Sequence, residues 1–167
     1  MLGLIYMIFV FIMFFKDYEY IVNKIHKSKR KSIQFSFIFY TLYLIVIALL
    51  FVVSNILMSI YSNILFDILL SYIFGWFIFF SLFKLSVNKK IDNKAAIISS
   101  LLTFIVLSIT KNLFIYYVIY NKTYTTIYGS LATLLFTFFW IYISWIIYLY
   151  GIKICHKLNI KELSKQN

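Results

Sequence analysis

Long uninterrupted apolar runs alternate along this chain with short polar segments, and most of the runs have the length of a membrane crossing. Leu2–Phe15 is apolar throughout, and Ile33–Met58 contains no charged residue. Ile64–Phe83 carries one acid, Asp67, and Ala95–Tyr120 one base, Lys111. Ile127–Ile152 is again free of charge. A helix rises about 1.5 Å per residue and needs about 20 residues to cross the ~30 Å hydrocarbon layer. Four of the runs satisfy that requirement. Leu2–Phe15 covers only roughly 21 Å at that rise. It is expected to span by thinning the bilayer or by continuing into Lys16–Tyr20, with charged heads snorkelling outward. Strands of a membrane barrel alternate polar and apolar over about ten residues, which these runs do not. The pattern predicts an all-α, polytopic transmembrane helix bundle of about five spans (2–15, 33–58, 64–83, 95–120 and 127–152), forming one domain over 1–167.

The polar segments between the runs fall into two kinds. Residues 16–32 read as a basic loop or amphipathic helix with Lys16, Lys24, Lys27, Lys29, Arg30 and Lys31. Residues 84–94 carry Lys84, Lys89, Lys90 and Lys94, and the tail 153–167 carries Lys153, Lys157, Lys161 and Lys165. The intervening segments hold none near Asn63 and only Lys122 near Asn121. Of 16 Lys and Arg, 14 therefore fall on alternate segments. Basic loops stay in the cytoplasm, so 16–32, 84–94 and 153–167 are expected there, with the C-terminus inside and Met1 outside.

Composition excludes a soluble alternative. Hydrophobic residues make up 63% of the chain and charged residues 13%, with a mean hydropathy of +0.93. A water-facing shell needs about a quarter of residues charged. The opening run lacks a positive n-region and a small-residue cleavage site, so a cleaved signal peptide is not expected. The net charge of +11 reports orientation and attraction to anionic headgroups rather than nucleic acid. The partners expected are the lipid bilayer, anionic headgroups at the basic face, and a second copy or another membrane protein.

Within the spans, a few polar residues stand out. Asp67 belongs to a stripe with Asn63, Ser71 and Gly75 at four-residue spacing. A carboxylate at mid-bilayer costs about 2.5–3.5 kcal/mol on insertion scales, so Asp67 should face protein or water. Lys111 lies near the same outer end, and a pairing of the two is one expectation; separate snorkelling to headgroups is the other. On the fifth run Ser130, Thr137, Ser144 and Gly151 recur every seven residues, with Thr133 between them. That spacing keeps small residues on one face and predicts a packing seam. The alternative is that the hydroxyls bond their own backbone. Tyr116, Tyr117, Tyr120, Tyr124 and Tyr128 surround the outer turn, where amphipathic rings favour the interface.

No catalytic constellation is expected. Cys155 stands alone, and His26 and His156 with five scattered acids supply no metal-ligand set. Asp17 and Glu19 near His26 are explained by interface solvation. Neither a cofactor nor a metal is expected, and the chain is read as a non-enzyme.

The stretch Lys111-Asn112-Leu113-Phe114-Ile115-Tyr116-Tyr117-Val118, followed by Tyr124-Thr125-Thr126-Ile127-Tyr128-Gly129-Ser130-Leu131-Ala132, resembles the hallmark of the YihY/BrkB family. The likeness continues through Trp140-Ile141-Tyr142 to Tyr150-Gly151, and Tyr20-Ile21-Val22-Asn23-Lys24-Ile25 resembles the segment before the family's basic loop. Asn23, Lys111, Phe114, Tyr117, Tyr128, Gly129, Ser130 and Trp140 carry the motif. Asn93-Lys94-Ala95 departs from the family's Pro-Gly, and the family's acidic residue shortly after the terminal Gly is replaced around Lys153. The resemblance covers roughly the C-terminal two thirds of a six-span family, so the opening run would match the family's second span and the chain would be a shortened member. It implies a multi-pass protein of the bacterial inner membrane, linked by name to virulence and serum resistance. Some members bear the label ribonuclease BN, a tRNA-processing activity for which this chain lacks the ligands. The leading expectation is a transport or lipid-handling component of the envelope. The alternative is a structural or partner-binding subunit that moves nothing.

Overall fold

The computed structural model describes residues 2–29, 32–61, 63–120 and 129–164. They form five helices: α1 (Leu2–His26), α2 (Ile33–Tyr61), α3 (Ile64–Leu85), α4 (Asn93–Tyr120) and α5 (Ser130–Leu163). The all-α expectation is met. Among the described residues, four helical stretches are long and apolar enough to cross a bilayer: Gln34–Tyr61, Ile64–Leu85, Asn93–Tyr120 and Leu131–Leu163.

The boundaries differ from the sequence reading at the basic segments. The helix begun at Leu2 does not stop at Phe15 but runs to His26, and α5 continues past Ile152 to Leu163. A charge ends a hydrophobic run without ending a helix, because lysine propagates a helix well once it leaves lipid. What stops α1 is its C-terminal cap. Lys27 adopts φ 52°, while Ser28 N–H bonds the Asn23 carbonyl and Lys27 N–H that of Lys24. These are the two bonds of a Schellman motif, here without its usual glycine. At the other end, α3 opens on Asn63, whose side chain accepts from Leu65 N–H at 3.0 Å. Gly129 precedes α5 with φ 53° and ψ −129°, a conformation open to glycine and costly for other residues.

Each helix touches the next, and α1 returns to α5, so the five close into a ring. The tightest pair is α4 with α5, followed by α3 with α4. Small residues bring these backbones together: Ala95, Ala96, Ser99, Ser100 and Thr103 of α4 are all buried. A Cβ on Gly151 would overlap the Thr103 hydroxyl and lie 2.9 Å from Phe83 Cζ. Such close approach is how helices associate where lipid gives no hydrophobic drive. α1 and α5 run side by side in one direction, and contacts recur with a constant offset: Tyr18 with Tyr148, and His26 with His156.

Burial is uneven along the ring. The buried cluster of Tyr18, Val22, Phe83, Val87, Ile91 and Ile152 lies toward the basic end. Large apolar side chains elsewhere remain exposed, among them Leu49, Phe51, Leu69, Ile109, Leu134 and Phe138. In water such a surface would drive aggregation; in hydrocarbon it is the expected outer face.

Candidate functional site

An open cavity of about 520 Å³ lies between the helices, and all five contribute to its lining. Phe14, Phe15 and Tyr18 come from α1, Tyr40, Tyr43, Leu44 and Ile47 from α2, and Ile78, Phe79 and Leu82 from α3. Leu107 of α4 and Trp140, Ile141, Ser144, Trp145 and Tyr148 of α5 complete it. Aromatic rings brace its wall: Phe15 stacks on Tyr40 at 5.1 Å, and Trp145 on Tyr148 at 5.9 Å. Among the described residues no charged side chain lines it. A pathway for a polar solute needs ionisable or carbonyl groups along its length, whereas this lining suits an apolar guest.

Hydroxyls form the floor of that cavity. Tyr18 bonds Ser86 Oγ at 2.7 Å and also Tyr148, tying α1 and α5 to the end of α3. Tyr43 donates to the Ile78 carbonyl at 3.1 Å and bonds Ser81 at 2.6 Å. Two other lining residues carry enclosed hydroxyls: Tyr40, 2% exposed and beside Ser86, and Ser144, whose oxygen has no hydrogen-bond partner among the described residues. An unpaired buried hydroxyl is costly.

Below the floor the three basic segments meet. Asn23, 1% exposed on α1, accepts Asn88 N–H at 3.1 Å and the Ser28 hydroxyl at 2.6 Å. Asn159 of α5 accepts Asp92 N–H at 2.8 Å and donates to the Lys90 carbonyl at 3.4 Å. Two asparagines on parallel helices thus clamp the α3–α4 loop, residues 86–92, from either side. This gives the Asn23 of the family motif a physical role. It also brings parts of the described segments 16–29, 84–94 and 153–164 to one end of the bundle.

His26 and His156 touch beside the clamp, their rings 5.2 Å apart and edge to face. His26 Nδ1 bonds the Val22 carbonyl at 3.2 Å, so it carries the proton, and buried Nε2 has no partner. Burial pushes the His26 imidazole down to about 4, with His156 and Lys89 adding repulsion against its protonated form. His156 is lowered by burial first and then by Lys89 and Lys27. Cys155 is buried, and that burial raises its thiol. Among the described residues no three His, Cys, Asp or Glu side chains gather in a metal-binding group.

The remaining residues singled out in the sequence are placed as follows. Glu19 is buried at 2% exposure, so interface solvation does not explain it; α1 turns it inward with Asn23 and His26. The seam on α5 resolves into three situations. Gly151 meets α4 and Ser144 faces the cavity. Thr133 and Thr137 are exposed, and Thr137 bonds the Thr133 carbonyl of its own helix at 2.8 Å. A strict seven-residue stripe drifts around a straight helix of 3.6 residues per turn, which is why one partner does not cover it. Ser130 begins α5, and Tyr128 and Tyr124 lie outside the described residues.

The stripe on α3 does face α4. A Cβ on Gly75 would lie 2.7 Å from the Phe104 ring, and Ser71 and Lys111 line one cavity of about 290 Å³. Asp67, one turn before Ser71, has Oδ1 buried without a hydrogen-bond partner. Phe114 packs on Trp140 at 5.3 Å, and Tyr117 meets Phe136 at 6.1 Å. These motif residues therefore staple the C-terminal part of α4 to the N-terminal part of α5. The sequence reading missed the matching small face of α4, although Ala95, Ser99 and Thr103 repeat every four residues.

A family model described as virulence factor BrkB matches residues 1–166. The chain is similar to a UPF0761 membrane protein of Pseudoalteromonas atlantica, 31% identical over 91 residues, which is 53% of this chain and 30% of that protein. It is similar to UPF0761 membrane protein NTHI0384 of Haemophilus influenzae, 34% identical over 95 residues, 57% of this chain and 35% of that one. With UPF0761 membrane protein Cpha266_1653 of Chlorobium phaeobacteroides it shares 36% over 73 residues, 44% of this chain and 16% of that one. The aligned regions span about a third of the length of the first two relatives. No solved structure matches.

Proposed function

Because the chain belongs to the BrkB family of membrane proteins, we propose that it is a lipid-handling component of the bacterial inner membrane. The basic end and C-terminus face the cytoplasm in this reading, in contact with anionic headgroups. The observation that carries it is the aromatic-walled cavity between the five helices, whose described lining residues carry no charge. Its volume falls within the roughly 300–1,000 Å³ of small-molecule sites. An acyl chain supplies the apolar guest. No bond is made or broken in this reading, so no catalytic group is called upon. At the opposite end, Asp67 and Lys111 are proposed to approach across α3 and α4. The cavity shared by Ser71 and Lys111 supports that pairing.

The test is movement of a fluorescent phospholipid between leaflets of vesicles containing the purified chain. Wild-type protein is expected to accelerate exchange, and Ser144→Trp, which fills the cavity, to return it to the protein-free rate. Equal acceleration by both would reject the cavity as the route. No acceleration by wild type, together with a co-purifying membrane protein, would favour the structural subunit instead.

A further inference from the structure

A second concavity lies outside the ring, between the start of α2 and the clamped α3–α4 loop. It has a volume of about 520 Å³, and its lining divides by chemistry. Phe35, Phe39 and Leu85 form an apolar side, and Lys84, Lys89 and Lys90 a cationic one. Phe35 and Phe39 stack on each other at 6.2 Å, and Phe35 is 57% exposed. Both phenylalanines stand within the first two turns of a charge-free helix, where hydrocarbon gives way to headgroups. Among the described residues no acidic side chain lines the groove.

We infer that this groove is a binding site for the headgroup region of an anionic glycerophospholipid of the cytoplasmic leaflet. Charge complementarity sets the class of occupant: cations at one wall call for a phosphate, and the apolar wall beside them for the first carbons of an acyl chain. Free phosphate satisfies only the first wall, and a zwitterionic lipid adds a cation against three lysines. Preorganisation strengthens the site. Asn23 and Asn159 already hold the loop that carries Lys89 and Lys90, and Asn88 Nδ2 donates to the Lys29 carbonyl at 3.2 Å. Lys84 is steadied by Asn93 Oδ1 at 2.6 Å and by the Phe80 ring, its ammonium 5.9 Å from the centroid. An ammonium has three donors, so two remain for the phosphate. Binding then orders little that is not ordered beforehand, which preserves affinity. The inference takes from the proposed function only the membrane orientation, and stands whether or not the ring cavity carries lipid.

Native mass spectrometry of the full chain in a neutral detergent measures the site directly. Phosphatidylglycerol is expected to bind with a defined stoichiometry and phosphatidylcholine only weakly. The double variant Lys89→Gln/Lys90→Gln should weaken phosphatidylglycerol by about thirtyfold. Lys157→Gln/Lys161→Gln, which removes the same charge from the tail, should leave it unchanged. Phe35→Ser should weaken binding with no change in charge, and millimolar inorganic phosphate should not compete. Equal losses from the two lysine pairs would replace the site by diffuse attraction and overturn the inference. Equal affinity for both lipids, or displacement by phosphate, would overturn it too. Because this readout is binding in detergent, it fails or succeeds separately from lipid exchange in vesicles.

Discussion

Gly151→Ala should destabilise the bundle by about 3 kcal/mol, at the upper end of the cost of overpacking a close contact. The added methyl has nowhere to go. It would overlap the Thr103 hydroxyl and approach both Thr103 Cγ2 and Phe83 Cζ to 2.9 Å. Thr103 cannot simply turn aside, because its hydroxyl donates to the Ser99 carbonyl at 2.7 Å and its residue is fully enclosed. The remaining escape is separation of α4 from α5, the pair with the most extensive contact in the ring. Unfolding of the purified protein in micelles by denaturant, followed by circular dichroism, measures the loss. Thr103→Ala should return part of it in the double variant, since the two side chains compete for one space. Gly3→Ala is the matched control, because a Cβ there meets nothing. A wild-type midpoint for Gly151→Ala would mean that α4 and α5 do not approach as described.

Acid should weaken the same bundle through His26. Its imidazole sits near 6.5 in the unfolded chain and about 4 in the folded one. Between those values the unfolded chain takes up a proton that the native state refuses. Stability is therefore fully present above pH 6.5 and declines as pH falls toward 4, by about 3 kcal/mol in all. The groups facing His26 act in the same sense: His156 from α5 and Lys89 from the clamped loop both repel its charged form. His156, itself lowered, contributes a smaller loss over the upper part of that window. Denaturant midpoints measured from pH 7.5 to pH 4 should trace this fall in wild type. His26→Gln should flatten most of it, and His156→Gln only a little. A wild-type profile without slope, or an unchanged slope in His26→Gln, would contradict the burial of that ring.

The parts of this architecture that were legible in the sequence are those fixed by solvent. Ile33–Met58 and Ile127–Ile152 lack charge, and Ile64–Phe83 and Ala95–Tyr120 carry one charged residue each, because lipid penalises charge; the first three runs each sit within one helix. Helix ends were not legible, since charge marks the edge of lipid and not the edge of a helix. Lys16–His26 read as part of a basic loop or amphipathic helix, and it is the C-terminal part of α1, where Glu19 is buried, Asn23 bonds the loop and His26 meets α5. Hydropathy cannot distinguish a polar residue facing water from one facing a buried partner. The α5 seam shows the same limit. Gly151 was identified as a packing residue, but its partner face on α4 had to be seen in three dimensions, and Thr133 and Thr137 satisfy their own backbone. The ring cavity had no linear signature at all. Its lining comes from five helices, and phenylalanine or leucine at those positions looks the same whether it fills space or surrounds it.

Lipid inside the helix ring is what the account rests on, and a photoreactive phospholipid detects it most directly. The lipid, carrying a diazirine near the end of one acyl chain, is incorporated with the protein into vesicles and illuminated, and the labelled residues are mapped by mass spectrometry. Label is predicted on inward-facing Tyr40, Ser144, Trp145 and Tyr148, and Ser144→Trp should displace it. Label confined to outward-facing residues such as Leu49, Phe51, Ile109 and Phe138, with none inside the ring, would contradict the account.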